Sequence, residues 1–191
     1  MFLFLFSCIL SGEPTDAKPK TFEWYEVGHS RVETAMYSSI KISIYENDTE
    51  IGHGSGNYFS YAGERFVLTA AHVVHIEQEQ YVLDGSEKVS ARVIYIDFEN
   101  DIAILKPSKK LNTKPVRWRR SNSKKIIGKE TFYAGWPSGY GKNLISGMVS
   151  SVLDKDAILI HSFALPGSSG SAVFDKSGRV LGVVSAVGVH Q

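Results

Sequence analysis

Three short segments carry side chains that together could perform nucleophilic acyl transfer. That chemistry needs a hydroxyl, a base within hydrogen-bond reach, a carboxylate to orient the base, and backbone N–H groups aimed at the developing oxyanion. The hydroxyl is offered by Pro166-Gly167-Ser168-Ser169-Gly170-Ser171-Ala172-Val173-Phe174, where glycines bracket paired serines just before an apolar strand. Gly167 permits the backbone turn that points N–H groups into one concavity, and Gly170 removes bulk beside a nucleophile. Taken alone, the segment reads equally well as a Gly/Ser turn. The base is offered by Val67-Leu68-Thr69-Ala70-Ala71-His72, a strand whose small terminal residues leave the imidazole unobstructed. A single histidine in such a place is more often a surface or core residue. The carboxylate is offered by Glu99-Asn100-Asp101-Ile102-Ala103-Ile104-Leu105, with Asp101 at the mouth of an apolar strand. A carboxylate there needs a partner, and an imidazole N–H or a turn N–H serves equally.

The elements that would position these residues are short strands. Ser39–Tyr45 alternates polar and apolar, and Asn47-Asp48 follows as a turn. A glycine-rich segment with Gly52, Gly54 and Gly56 runs to Tyr61, and Arg65–Thr69 leads to His72. Lys88–Phe98 and Ile102–Leu105 are β-rich, and a second series comprises residues 131–136, 144–153, 157–163, 171–174 and 180–187. Regular strands separated by turns, with no sustained helical period beyond a turn after His72, predict an all-β protein. Residues 1–20 read as a leader and polar linker, 21–118 as a first β-lobe and 119–191 as a second.

In one chain order, Thr69-Ala70-Ala71-His72, Asp101-Ile102-Ala103-Ile104-Leu105 and Gly167-Ser168-Ser169-Gly170 resemble the T-A-A-H, D-I-A-[IL]-L and G-x-S-G boxes of trypsin-like (chymotrypsin-fold) serine peptidases. The resemblance runs from about Ile40 to Gly188. It implies two six-stranded antiparallel β-barrels with the active site in the cleft between them. It also implies Ser169 as nucleophile, His72 as base, Asp101 as its orienting carboxylate, and the N–H groups of Gly167 and Ser169 as the oxyanion hole. Ser168 and Ser171 are rivals on composition; the box frame selects Ser169. Phe163 matches the base of the primary specificity pocket, and Ser185, Ala186 and Val187 the strand that walls it. An apolar base implies a small or aliphatic P1 residue; His161 offers an acidic P1 as the alternative.

The intervals of 29 residues from His72 to Asp101 and 68 from Asp101 to Ser169 resemble the compact, disulfide-free branch with HtrA-type and glutamyl-endopeptidase-like bacterial proteins. The 22 residues after Ser169 leave no place for a PDZ domain, so HtrA-like quality control is not expected. Ser168 stands where zymogens carry an aspartate, so activation through a new N-terminal amine is not expected either. The rival expectation is a silent or self-blocked protease fold that binds a peptide or partner, or serves as a viral structural module.

A net charge of +1 from 21 basic and 20 acidic residues argues against a nucleic-acid partner, and Arg117–Lys125 reads as a solvated inter-lobe loop. The substrate class is protein or peptide. Scattered histidines and the single Cys8 give no metal cluster and no intramolecular disulfide, and the fold class implies no cofactor. His29, His53, His75 and His190 read as spectators. The apolar run of residues 1–10 is too short to span a bilayer and resembles the end of a secretory leader, which predicts export. Leu5-Phe6-Ser7-Cys8 resembles a lipoprotein box, in which Cys8 would carry a lipid anchor.

Overall fold

Alternation in residues 39–45 produces strand β1 (Ser39–Glu46), with Ile40, Ile42 and Ile44 buried. Ser39 and Ser43, on the other face of the strand, are buried too, and β1 is paired on both edges. Ser39 faces the second lobe, where its hydroxyl donates to the Ala134 carbonyl at 2.9 Å. This computed structural model describes residues 32–74, 79–121, 125–138, 141–154 and 157–185. The leader-like run, Cys8, Ala186 and Val187, with His29, His75 and His190, lie outside the described residues.

Strands β2 (Thr49–Tyr61), β3 (Glu64–Thr69), β4 (Glu79–Asp84), β5 (Glu87–Asp97) and β6 (Ile102–Pro107) join β1 in the order β1-β4-β5-β6-β3-β2. β2 then pairs back onto β1, so six antiparallel strands close a barrel. Its interior is filled by Ile40, Ile42, Tyr58, Val67, Val82 and Leu105 with smaller neighbours. β7 (Val116–Arg117) adds in parallel to β2.

The second lobe contains β8 (Glu130–Gly135), β9 (Asn143–Asp154), β10 (Ala157–Ser162), β11 (Ala172–Asp175) and β12 (Val180–Val183). Among the described residues these form one antiparallel sheet, ordered β10-β9-β8-β11-β12 and curled as a half-barrel. The all-β architecture is therefore the chymotrypsin-like double barrel, with five strands of the second lobe described. A short helix, α1 (Glu33–Ser38), departs from the helix-free expectation. At six residues it has too little length to show a 3.6-residue period.

A second core binds the lobes together. It joins Phe59 and Leu68 of the barrel to Ala134, Ala172 and Phe174 of the second sheet, with Ala35 of α1 beside them. Phe59 meets Trp118 edge-on at 5.1 Å between ring centroids and lies near-parallel to Phe174 at 6.3 Å. The crossover is thus pinned on both sides: Trp118 N–H donates to the Ser60 carbonyl at 3.0 Å, and Ser121 N–H to the Val180 carbonyl at 2.9 Å.

Candidate active site

β3 ends at Thr69, and the fully buried Ala70 and Ala71 turn the chain into one 3₁₀ turn, Ala71–Val73. Their small side chains let this turn sit close against the barrel while His72 emerges half exposed. Asp101 stands at the entrance to β6 in the left-handed region, φ +52°. The preceding turn is tied by Asp97, whose carboxylate accepts both the Glu99 and Asn100 N–H groups at 3.0 Å.

That turn aims the Asp101 carboxylate at His72. One oxygen accepts the His72 backbone N–H at 2.9 Å and the other meets His72 Nδ1 at 2.7 Å. The Ser185 hydroxyl also donates to the second oxygen. Burial pushes the Asp101 carboxyl up, but hydrogen bonds from Ser185 and from the His72 backbone and ring outweigh it. The group is held below the usual carboxylate range. An ionised Asp101 in turn favours the tautomer with the proton on Nδ1, leaving Nε2 as an acceptor.

The loop 166–170 shows where an oxyanion could bind once its backbone bonds are counted. All four carbonyls from Pro166 to Ser169 are engaged. They accept in turn from Ser138 N–H (3.0 Å), Ser55 Oγ–H (2.6 Å), Ser171 N–H (3.2 Å) and Ser55 N–H (2.8 Å). The N–H groups of Ser168 and Gly170 donate to the Leu165 and Val184 carbonyls at 3.0 and 2.7 Å. The N–H groups of Gly167 and Ser169 have no acceptor among the described residues. Gly167 at φ +93° and Gly170 at φ +89° make the tight path possible. At Gly170 a side chain would fall on the Ser55 carbonyl and the Thr69 hydroxyl.

Gly167, Ser169 and His72 line one open cavity of about 160 Å³, walled by Ile44, Ile51 and Val73 and edged by His53. Ser168 and Ser171 are fully buried, so of the three loop serines only Ser169 lines it. Among the described residues the Ser169 hydroxyl makes one bond, a long one of 3.5 Å to the Ser185 carbonyl, and none to His72. Nucleophile–base bonds of this kind commonly tighten only with substrate.

The residues expected to form the specificity pocket are placed differently from one another. Phe163 is 66% exposed just past β10 and does not line the cavity around Ser169. Its carbonyl is held by the Tyr133 hydroxyl. Ser185 uses its hydroxyl on Asp101 and turns its carbonyl to Ser169. His161 is exposed on β10.

Two residues at the site escaped sequence reasoning. His53, read as a spectator, lines the cavity, with Nε2 3.3 Å from the Ser138 hydroxyl and Nδ1 3.8 Å from Glu50. Ser55 grips the nucleophile loop from the other lobe, and only the Gly-Ser-Gly pattern at residues 54–56 hinted at it. Among the described residues no cluster of His, Cys, Asp or Glu could hold a metal, and no helix is long and apolar enough to cross a membrane.

The fold is that of a serine-peptidase domain of the chymotrypsin architecture. Residues 54–183 match the trypsin-like peptidase domain, and the chain belongs to that family. It is 30% identical over 174 residues to a "Serine protease HtrA-like" of Staphylococcus epidermidis, covering 81% of this chain and 30% of that protein. It is 32% identical over 147 residues to a "Probable periplasmic serine endoprotease DegP-like" of Bartonella henselae, covering 72% of this chain and 28% of that protein. The crystal structure of Deg5 superposes with a TM-score of 0.66 at 25% identity, covering 82% of this chain and 83% of that one. The chain thus spans about 30% of the length of these curated relatives.

Proposed function

We propose that this chain is a serine endopeptidase that cleaves peptide bonds through an acyl-enzyme on Ser169. His72 Nε2 takes the Ser169 proton as Oγ attacks the scissile carbonyl, then returns it to the leaving amine. Water repeats the sequence to release the acid. Asp101 holds the imidazole and stabilises its charged form. The tetrahedral oxyanion is met by the N–H groups of Gly167 and Ser169. One observation carries the reading: in a loop whose carbonyls from Pro166 to Ser169 and whose Ser168 and Gly170 N–H groups are all engaged, the N–H groups of Gly167 and Ser169 have no acceptor among the described residues, and both residues line the cavity shared with His72. A single donor of this kind is worth about 10²–10³ in kcat.

We further propose the lobes as residues 21–118 and 119–191, export of the protein, and a small or aliphatic P1 residue. The P1 reading rests on the sequence position of the apolar Phe163, six residues before Ser169, whose side chain is exposed and does not line the cavity; Ser185, Ala186 and Val187 would wall that side of the cleft. The leader-like N-terminus and the periplasmic relative support export, with Cys8 as the site of any lipid anchor. A second reading, a silent cleft, is favoured by the Ser169 hydroxyl facing Ser185 rather than His72.

Fluorophosphonate labelling of the parent and of Ser169→Ala, read by intact mass, separates the two. One adduct on the parent and none on the variant supports the nucleophile; no adduct on a folded parent favours the silent cleft. For the P1 reading, a P1-Arg peptide cut as fast as its P1-Val or P1-Ala counterpart refutes it.

A further inference from the structure

We infer that Ser55 of β2 is a positioning residue that holds the oxyanion hole in shape from the opposite lobe, an inference that rests on the peptidase reading of the same site. Ser55 is fully buried and is bonded through every polar group it owns. Its hydroxyl accepts the Trp136 N–H at 2.8 Å and donates to the Gly167 carbonyl at 2.6 Å. Its N–H donates to the Ser169 carbonyl at 2.8 Å, and its carbonyl accepts the Thr69 hydroxyl at 2.7 Å.

The carbonyls that Ser55 holds belong to the two residues whose N–H groups are free, Gly167 and Ser169. Each N–H lies in the peptide plane that precedes its residue, with the Pro166 or Ser168 carbonyl, and those carbonyls are held by the Ser138 and Ser171 N–H groups. Ser55 holds the plane that follows, so that each residue is fixed on both sides and its N–H keeps its direction. The bond to Ser169 comes from the main chain and any residue could make it. The bond to Gly167 comes from the side chain, and it acts on a glycine, the residue type with the widest backbone freedom. It also requires a group that accepts and donates at once in little space: a Cβ added at Gly135 would stand 3.2 Å from Ser55 Oγ. A hydroxyl is the smallest side-chain group that does both.

Ser55→Ala leaves both main-chain bonds in place and frees the Gly167 carbonyl. The expected effect is a fall of about 10–100-fold in the second-order rate of fluorophosphonate labelling, at or below the loss of one oxyanion donor outright. Ser55→Cys keeps the side-chain shape with a somewhat larger atom and supplies only a weak donor, and falls between the parent and the alanine variant. Ser43→Ala is the control, since Ser43 is equally buried in the same barrel and its hydroxyl has no partner among the described residues. It labels within about twofold of the parent.

The readout specific to positioning is the pH profile of labelling. Ser55 makes no bond to His72 or Asp101, so the midpoint stays where it is while the plateau drops. A generally loosened protein would shift the midpoint and slow the Ser43→Ala control as well. If Ser55→Ala does not fold, the cysteine variant carries the test. A parent that labels while the Ser55 variants label within twofold of it overturns this inference alone. A folded parent that takes no label overturns the peptidase reading and this inference with it.

Discussion

Replacing Asp101 by Asn separates the orientation of His72 from the integrity of the fold. The backbone at Asp101 has φ +52°, a region that asparagine enters readily and alanine does not, so Asn is the less disruptive probe. The carboxylate accepts from three donors: the His72 N–H on one oxygen, and His72 Nδ1 and the Ser185 hydroxyl on the other. An asparagine has a single oxygen to offer. The backbone N–H can only donate, whereas an imidazole can change tautomer and a hydroxyl can rotate. The amide oxygen therefore turns to the His72 N–H, and the amide NH₂ takes the place beside Nδ1 and Ser185. Nδ1 then becomes the acceptor and the imidazole proton moves to Nε2, where it faces Ser169. A base in the wrong tautomer costs about 10⁴ in kcat, or about 5.4 kcal/mol at 1.36 kcal/mol per decade. Charge-assisted bonds become neutral ones, so Tm falls by only about 2–6 °C. The assay is the labelling rate by intact mass beside a thermal melt. A folded Asp101→Asn variant that labels within about tenfold of the parent refutes the reasoning.

Two further outcomes are expected. Asp84 is buried and accepts the N–H groups of Asn112 and Thr113 and the Thr113 hydroxyl. Burial raises its carboxyl pKa, but these bonds outweigh it and hold the group low. Asp84→Ala should cost about 3 kcal/mol at pH 7, or about 6–12 °C in Tm. A carboxyl lowered on folding stabilises fully above its unfolded value of about 3.9 and loses that contribution as pH falls through the folded value. The gap in urea midpoint between parent and variant should therefore narrow between pH 7 and about pH 2.5; a constant gap contradicts the assignment. Gly170→Ala should lose more than about 4 kcal/mol, because positive φ and collision with Ser55 and Thr69 act together. A soluble variant melting within about 5 °C of the parent would rule that out.

What could be read from the sequence was local. The small residues before His72, the glycines around Ser169 and the alternation of β1 are each set by the backbone within a few residues, so they leave a mark in the string. Helix α1 left little, being only six residues, and strand β4 left little because its Tyr81-Val82-Leu83 centre is flanked by polar residues. Ser43 is buried on the face that alternation assigns to solvent, and nothing in the residues of β1 marks it. Ser55 and His53 could not be assigned at all, since their partners Gly167 and Ser138 lie 112 and 85 residues away. Ser185 was read as a wall of the substrate pocket, and only the fold reveals that its hydroxyl is spent on Asp101.

The bonds that cross between the lobes also impose an order in time. Ser55 grips Gly167, and Asn57 receives the Ala172 N–H at 2.7 Å, across 112 and 115 residues of chain. The first lobe leaves the ribosome with a base and no nucleophile. The nucleophile loop follows with the second lobe and takes its shape against strands completed long before. On the peptidase reading, a half-made chain is harmless to itself and its neighbours, and cutting begins only once both lobes have met. Long-range closure of this kind is slow to form. Folding itself therefore sets a delay between synthesis and cutting.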